Sequence, residues 1–237
     1  MDHLIARLVS LTDANDCLRA LLDAVPIDQI VFTSSLGLED QVITDLLWGK
    51  GHPVDIVVLD TGRLHPETYA VMSHTQTHYQ RRHRVMMPDP AEVESLVNTH
   101  GINCFYDTVA LRQRCCAIRK THPLQRALTG KTAWVTGIRR EQSPYRATMQ
   151  RAAWDDENGL LKVNPLLDWS LDAVWEHVRT HGVPINGLHA KGYPSIGCAP
   201  CTRAVPEGQD SRSGRWWWES RDEGHSECGL HRRSSPT

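Results

Sequence analysis

Two adjacent thiols at Cys115 and Cys116, a CxxC pair at Cys198 and Cys201, and a fifth thiol at Cys228 are the residues of this chain best suited to chemistry. The thiolate is both the metal-binding and the attacking form of cysteine. Four cysteines in two close pairs therefore suggest a ligand set, and the fifth, set apart, a nucleophile. An iron-sulfur cubane offers a separate terminal position on each of four irons, so neighbours in sequence can each ligate a different iron. A lone zinc would need Cys115 and Cys116 on one tetrahedron, in a strained chelate, although four-thiolate zinc sites also exist. A redox dithiol would explain the CxxC and leave the adjacent pair unexplained. Cys17 and Cys104 fall outside these groups and read as buried thiols.

Seven is an odd number of cysteines, and Asp2, His3, Arg7, Asp13, Asp16 and Arg19 interrupt the first apolar positions where a secretory leader would be continuous. Both features predict a reduced, cytoplasmic protein without a disulfide framework. No apolar run approaches the roughly 20 residues of a membrane helix. The formal net charge is −2, so no global field recruits nucleic acid or anionic lipid, and an anionic ligand must be held by local basic residues.

The elements that must position these residues show in the apolar pattern. Leu4, Ile5, Leu8, Leu11, Leu18, Leu21 and Leu22 predict a helical hairpin or one interrupted helix. Four short apolar runs, 30–33, 56–59, 85–87 and 133–136, lack clean alternation and suit strands buried on both faces of a mainly parallel sheet. Helical patterns lie between them, around Val42 to Leu47 and over 67–80, 91–100 and 116–128. Alternating strand and helix predicts a three-layer α/β domain over residues 1–181. Its last helix opens at Ser170 as N-cap and buries Leu171, Val174, Trp175 and Val178. Residues 182–237, rich in Gly, Pro, Ser and charge, predict an irregular segment that carries the CxxC and ends in a mobile tail.

Ligands of such sheets bind beyond the C-terminal strand ends, where three segments fall. Ser34-Ser35-Leu36-Gly37-Leu38-Glu39-Asp40 offers hydroxyls, a glycine and N–H groups to an anion, with Ser34, Ser35, Gly37 and Asp40 as candidate contacts; the plainer alternative is a Ser/Gly turn. Neither a Walker loop nor a dinucleotide fingerprint is present. Leu59-Asp60-Thr61-Gly62-Arg63 could hold a ribose or purine edge or be a capped turn. Arg139, Arg140 and Arg146 after the fourth strand form either an anion clamp or a solvated basic loop. Trp216-Trp217-Trp218 reads as packing of the C-terminal segment onto the core rather than as a nucleobase platform or partner surface.

Taken in order from about residue 30 to 231, these three segments, Cys115-Cys116-Ala117-Ile118-Arg119-Lys120, residues 193–202, residues 212–219 and Glu227-Cys228-Gly229-Leu230-His231 resemble the assimilatory sulfonucleotide reductases. The two cysteine pairs resemble the iron-sulfur branch of that family, whose members mostly use adenylyl sulfate (APS); the branch using phosphoadenylyl sulfate (PAPS) usually lacks them. The resemblance implies an adenine nucleotide alpha hydrolase-like fold, a 4Fe-4S cluster on Cys115, Cys116, Cys198 and Cys201, and Cys228 as nucleophile. It further implies Lys120 linking cluster and substrate, Arg212 and Arg215 gripping the phosphosulfate with Arg139 as a further contact, and reduced thioredoxin as partner. It also implies assembly as a dimer or tetramer. The absence of a basic residue in 34–40 to receive a 3′-phosphate favours APS over PAPS or dual use. An ATP pyrophosphatase would carry an SGGxDS-type loop that is missing here, and a cluster-based redox sensor would bind without turnover; no helix-turn-helix signal supports DNA as its partner.

Overall fold

The four apolar runs become neighbouring strands of one sheet. The computed structural model describes residues 1–219. Strands β1 (Ile30–Ser34), β2 (Asp55–Leu59), β3 (Arg84–Met86), β4 (Ala133–Val135), β5 (Ala152–Asp155) and β6 (Leu160–Val163) lie in the order β3-β2-β1-β4-β6-β5. All pair in parallel except β5 with β6. The β5–β6 hairpin was not among the expected strands.

Helices follow as α1 (Asp2–Ser10), α2 (Ala14–Ala24), α3 (Leu38–Thr44), α4 (Pro66–Tyr79), α5 (Pro90–His100), α6 (Val109–Cys116), α7 (His122–Leu128), α8 (Pro144–Ala147) and α9 (Leu171–His181). On β1 and β4 the residues Ile30, Phe32, Ala133 and Val135 pack into one core with α1, α2, α3 and α9. Val31 and Trp134 face the opposite layer with Leu124, Ala127 and Leu128 of α7. Because helices cover both faces, neither face needs polar residues, and the runs are apolar without alternation. Each large side chain so buried, such as Phe32 at 0 % exposure, contributes about 1.5–3 kcal/mol. β3 departs from this: it is the sheet edge, and Arg84 and Val85 are exposed.

The helix expected over 116–128 starts earlier, at Val109, where Thr108 caps it by accepting from the Leu111 amide. Between α6 and α7 the residues Ala117–Thr121 form a π turn. Pro123 has no N–H to offer the carbonyl of Arg119 four residues back, so the helix widens there. The turn carries Arg119 and Lys120. In α9 the Ser170 hydroxyl accepts from Ala173 N, and Val174 and Val178 are buried. Leu171 and Trp175 are not fully buried, because they border a cavity described below.

Residues 182–219 hold only 3₁₀ turns at His189–Lys191 and Ala199–Cys201 and an isolated bridge between Thr202 and Arg215. Gln41 Nε2 donates to the Pro184 carbonyl at 2.7 Å and Asn186 Nδ2 to Thr68 Oγ1 at 3.1 Å, docking this segment on α3 and α4. Among the described residues no helix is long and apolar enough to cross a membrane.

Candidate active site

A cavity of about 760 Å³ opens beyond the C-terminal ends of β1, β2 and β4, at the β1/β4 junction where the strand order reverses. Its far wall is residues 192–198 and 205–215 of the irregular segment. Two groups of charge border it, one acidic and mixed, one basic.

The first group belongs to the loop after β1. Asp40, 8 % exposed, takes both the amide and the hydroxyl of Ser35 on Oδ2 at 2.6 Å. Leu36 N donates to Ser34 Oγ and Gly37 N to Ser35 Oγ, with Leu36 in the left-handed region at φ 60°. The expected N–H groups are thus engaged within the loop, because the buried carboxylate draws the donors inward. Burial raises the Asp40 pKa to about 6, against the lowering effect of the Ser35 hydrogen bonds. Gly137 after β4 is required by this carboxylate: a Cβ there would lie 2.0 Å from Asp40 Oδ1.

The arginines of the third segment separate. Arg139 lines the cavity, and its guanidinium donates to Glu39 at 2.9 Å, Glu141 at 2.8 Å and the Trp169 carbonyl. Arg140 turns elsewhere, onto Asp168 and the carbonyls of Ala147 and Met149. Arg146 reaches the cavity beside Gln142.

The second group surrounds the thiols. Cys115, Cys198 and Cys201 meet in one cluster with Phe105, Trp216 and Trp218, and Cys116 is close enough to raise the pKa of both Cys115 and Cys201. All four are free of disulfides. Burial pushes the Cys115 thiol up to about 11 and the Cys201 thiol up to about 12. Burial opposes ionisation of Cys198 too, yet Lys120, the Thr61 hydroxyl, Arg215 and Arg119 together hold its pKa below the usual thiol range. Thr61 Oγ1 stands 3.3 Å from Cys198 Sγ. The donor set is four thiols shielded by aromatic rings, a soft set that suits iron-sulfur and zinc centres alike.

The loop after β2 supports this end. Leu59 and Thr61 line the cavity, whereas Asp60 and Gly62 do not. Asp60 accepts from Gly62 N at 2.8 Å and from the Tyr69 hydroxyl at 2.9 Å. Arg119 donates to the Thr61 carbonyl at 2.6 Å, and Ala199 N to the Arg63 carbonyl at 2.8 Å. Arg119 had no expected role, since an arginine between Ile118 and Lys120 gives no sign of where it points.

Lys120, Arg212 and Arg215 all line the cavity. Arg215 packs on Gly197, where a Cβ would come within 2.3 Å of its guanidinium, and its Nη1 reaches Ser195 Oγ at 3.3 Å. Arg112, 1 % exposed, grips Glu219 through two 2.8 Å bonds. Both Arg112 and Arg215 lie over the ring of Trp216, at 4.6 and 5.0 Å. The tryptophan run therefore divides: Trp216 is buried and Trp217 is 44 % exposed. This anchor had no local signal, because Arg112 and Glu219 are 107 residues apart. Cys228 lies outside the described residues, as does the chain end on which the mobile tail was expected.

Residues 29–204 match the sequence profile of the phosphoadenosine phosphosulfate reductase domain. The adenosine 5'-phosphosulfate reductase of Allochromatium vinosum is 51 % identical over 87 % of this chain and 80 % of its own length. That of Burkholderia cepacia is 49 % identical over 86 % of this chain and 81 % of its own. The crystal structure of phosphoadenylyl-sulfate reductase from Candida auris, a phosphate complex, superposes with a TM-score of 0.72 at 29 % identity, covering 86 % of this chain and 95 % of that one. Candida glabrata FMN adenylyltransferase shares the adenine nucleotide alpha hydrolase-like fold alone, with a TM-score of 0.58 at 17 % identity over 90 % of this chain and 72 % of that one. A profile match spanning most of the chain, joined to relatives near half identity, shows that this chain belongs to the phosphoadenosine phosphosulfate reductase domain family.

Proposed function

We propose that the protein reduces adenylyl sulfate to sulfite and AMP, with Cys228 as nucleophile and a thioredoxin-type dithiol as reductant. The observation that carries this reading is the basic end of the cavity, where Lys120 and Arg215 line the same space as Cys198 and hold its pKa down. A cavity of about 760 Å³ is of nucleotide size. The adenosine belongs at the end formed by Ser34, Ser35, Gly37, Asp40 and Arg139, where a buried carboxylate would repel phosphate and can accept from hydroxyl or amine donors. The phosphosulfate belongs at the end formed by Lys120, Arg212 and Arg215, backed by Leu59, Asp60, Thr61 and Gly62.

Cys115, Cys116, Cys198 and Cys201 would hold the 4Fe-4S cluster, which supplies a polarising centre beside the anion. The Cys228 thiolate attacks the sulfur of the substrate sulfate, a sulfur–sulfur bond forms, and the bond from sulfur to the bridging oxygen breaks with its electron pair passing to AMP. Lys120, Arg212 and Arg215 stabilise the charge that develops on the leaving phosphate. A reductant thiolate then attacks the Cys228 sulfur and releases sulfite, and its second thiol resolves the mixed disulfide. Cys228 is nine positions beyond Glu219 in the sequence, a reach of at most about 30 Å.

APS is favoured over PAPS because residues 34–40 carry no basic side chain and relatives at 44–51 % identity are named for APS. Side-by-side kinetics with the two nucleotides checks that choice. The mechanism is tested by incubating the purified protein with APS without reductant and weighing it intact. A gain of one sulfonate, absent in Cys228→Ser, is expected; sulfite released without thiol overturns the scheme.

A further inference from the structure

We propose that Asp45, His177 and His181 bind one divalent transition-metal ion of the zinc type, at a site distinct from the four cysteines. One donor atom from each residue lies within 4.8 Å of the other two, and no other trio of His, Cys, Asp or Glu among the described residues comes so close. His177 and His181 are four residues apart on α9, so their rings share a face. The rings stack with centroids 4.0 Å apart and 21° between planes. Asp45 opens the π turn Asp45–Gly49 that follows α3, and its Oδ2 meets His177 Nε2 at 2.8 Å across 132 residues of sequence.

The groups behind these ligands are already arranged. The Tyr79 hydroxyl donates to Asp45 Oδ1 at 2.9 Å. Gly49 makes room for the carboxylate, since a Cβ there would come within 2.7 Å of Oδ1. His181 Nδ1 pairs with the His177 carbonyl at 3.0 Å, which fixes that nitrogen as the N–H donor and leaves Nε2 with its lone pair for a metal. Asp45 and His177 are partly buried and His181 is exposed, giving a held ligand pair with an open entry path. Two imidazoles and a carboxylate are a zinc-type set with a fourth position for water. A nitrogen and an oxygen on one tetrahedral ion are about 3.3 Å apart. The His177–Asp45 pair therefore needs to part by about half an ångström as the ion replaces the proton between them. The ion would tie α9 to the turn after α3, two elements whose N-terminal residues Leu171 and Leu38 border the cavity.

The test is calorimetric titration of zinc into the anaerobically purified, iron-loaded full chain, with iron content measured before and after. One saturable equivalent is expected, weakened about ten-fold or more in His181→Ala, a replacement at an exposed position. Asp45→Asn should weaken it as well. No saturable binding, or binding of unchanged affinity in His181→Ala, as zinc captured by the cysteines would give, overturns the proposal.

Discussion

The sheet with its helices and the segment 182–219 are held together by different physics. The first is closed by aliphatic burial on both faces of β1 and β4, from residues such as Phe32, Val31 and Val135. The second has little regular structure; beyond Val183 in the main core and a small cluster of Phe105, Cys198, Cys201 and Trp216, it is fixed by polar and ionic contacts: Arg112 on Glu219, two guanidiniums over Trp216, Thr61 against Cys198 and Arg215 on Gly197. Hydrophobic burial is non-directional and spread over many side chains, whereas these contacts are few and each depends on its partner. The cavity lies between the two regions, so its far wall depends on these few contacts.

The sharpest way to break this contrast is Cys198→Ser. We expect turnover to vanish and amide exchange to rise across 192–219 while β1 and β4 stay protected; equal loss of protection in the sheet would show that the two regions are one cooperative unit. Next comes Glu219→Gln, which leaves Arg112 as a buried charge with its partner neutralised. The expected cost is about 3–5 kcal/mol of local stability, read as faster exchange around Trp216 and lower turnover, with the sheet unaffected.

Asp40→Asn probes the sheet side of the cavity. The Asp40 pKa is raised from the usual 3.8 to about 6, so the folded protein holds this proton more tightly than the unfolded chain does. Its buried charge is therefore destabilising above about pH 6, and that penalty fades as pH falls toward 4. Since Oδ2 alone accepts both Ser35 donors, an amide oxygen can replace it. The variant should be more stable by up to about 3 kcal/mol at pH 7, and the gain should disappear near pH 4 in denaturant titrations. The smallest effect is expected for Arg140→Ala. Its ion pair with Asp168 is 41 % and 49 % exposed, worth at most about 1 kcal/mol, and its bonds to the Ala147 and Met149 carbonyls add about 1 kcal/mol each, so the unfolding midpoint should fall slightly and turnover should barely move.

The same contrast governs what could be read from sequence. Core strands were legible because burial on two faces writes a run of apolar residues, and the thiol pairs were legible by residue type and spacing. The β5–β6 hairpin was missed although Asn158-Gly159 marks its turn and Gly159 adopts φ 64°. The π turn that carries Lys120 had a signal in Pro123, but a proline after a helical run does not say whether the helix stops or widens. Arg139 and Arg140 are adjacent and chemically identical, and only the tertiary positions of Glu39 and Asp168 separate them. The Arg112–Glu219 anchor and the Thr61–Cys198 contact join residues more than 100 positions apart, and no local pattern encodes such a pairing.

The irregular backbone of 182–219 has a practical side for anyone who stores or ships this protein. Far-ultraviolet circular dichroism registers helices and strands, and this stretch holds little beyond two 3₁₀ turns and a single bridge. A vial in which that wall has slackened would give an undiminished spectrum, so shelf life has to be judged by nucleotide retention rather than by ellipticity.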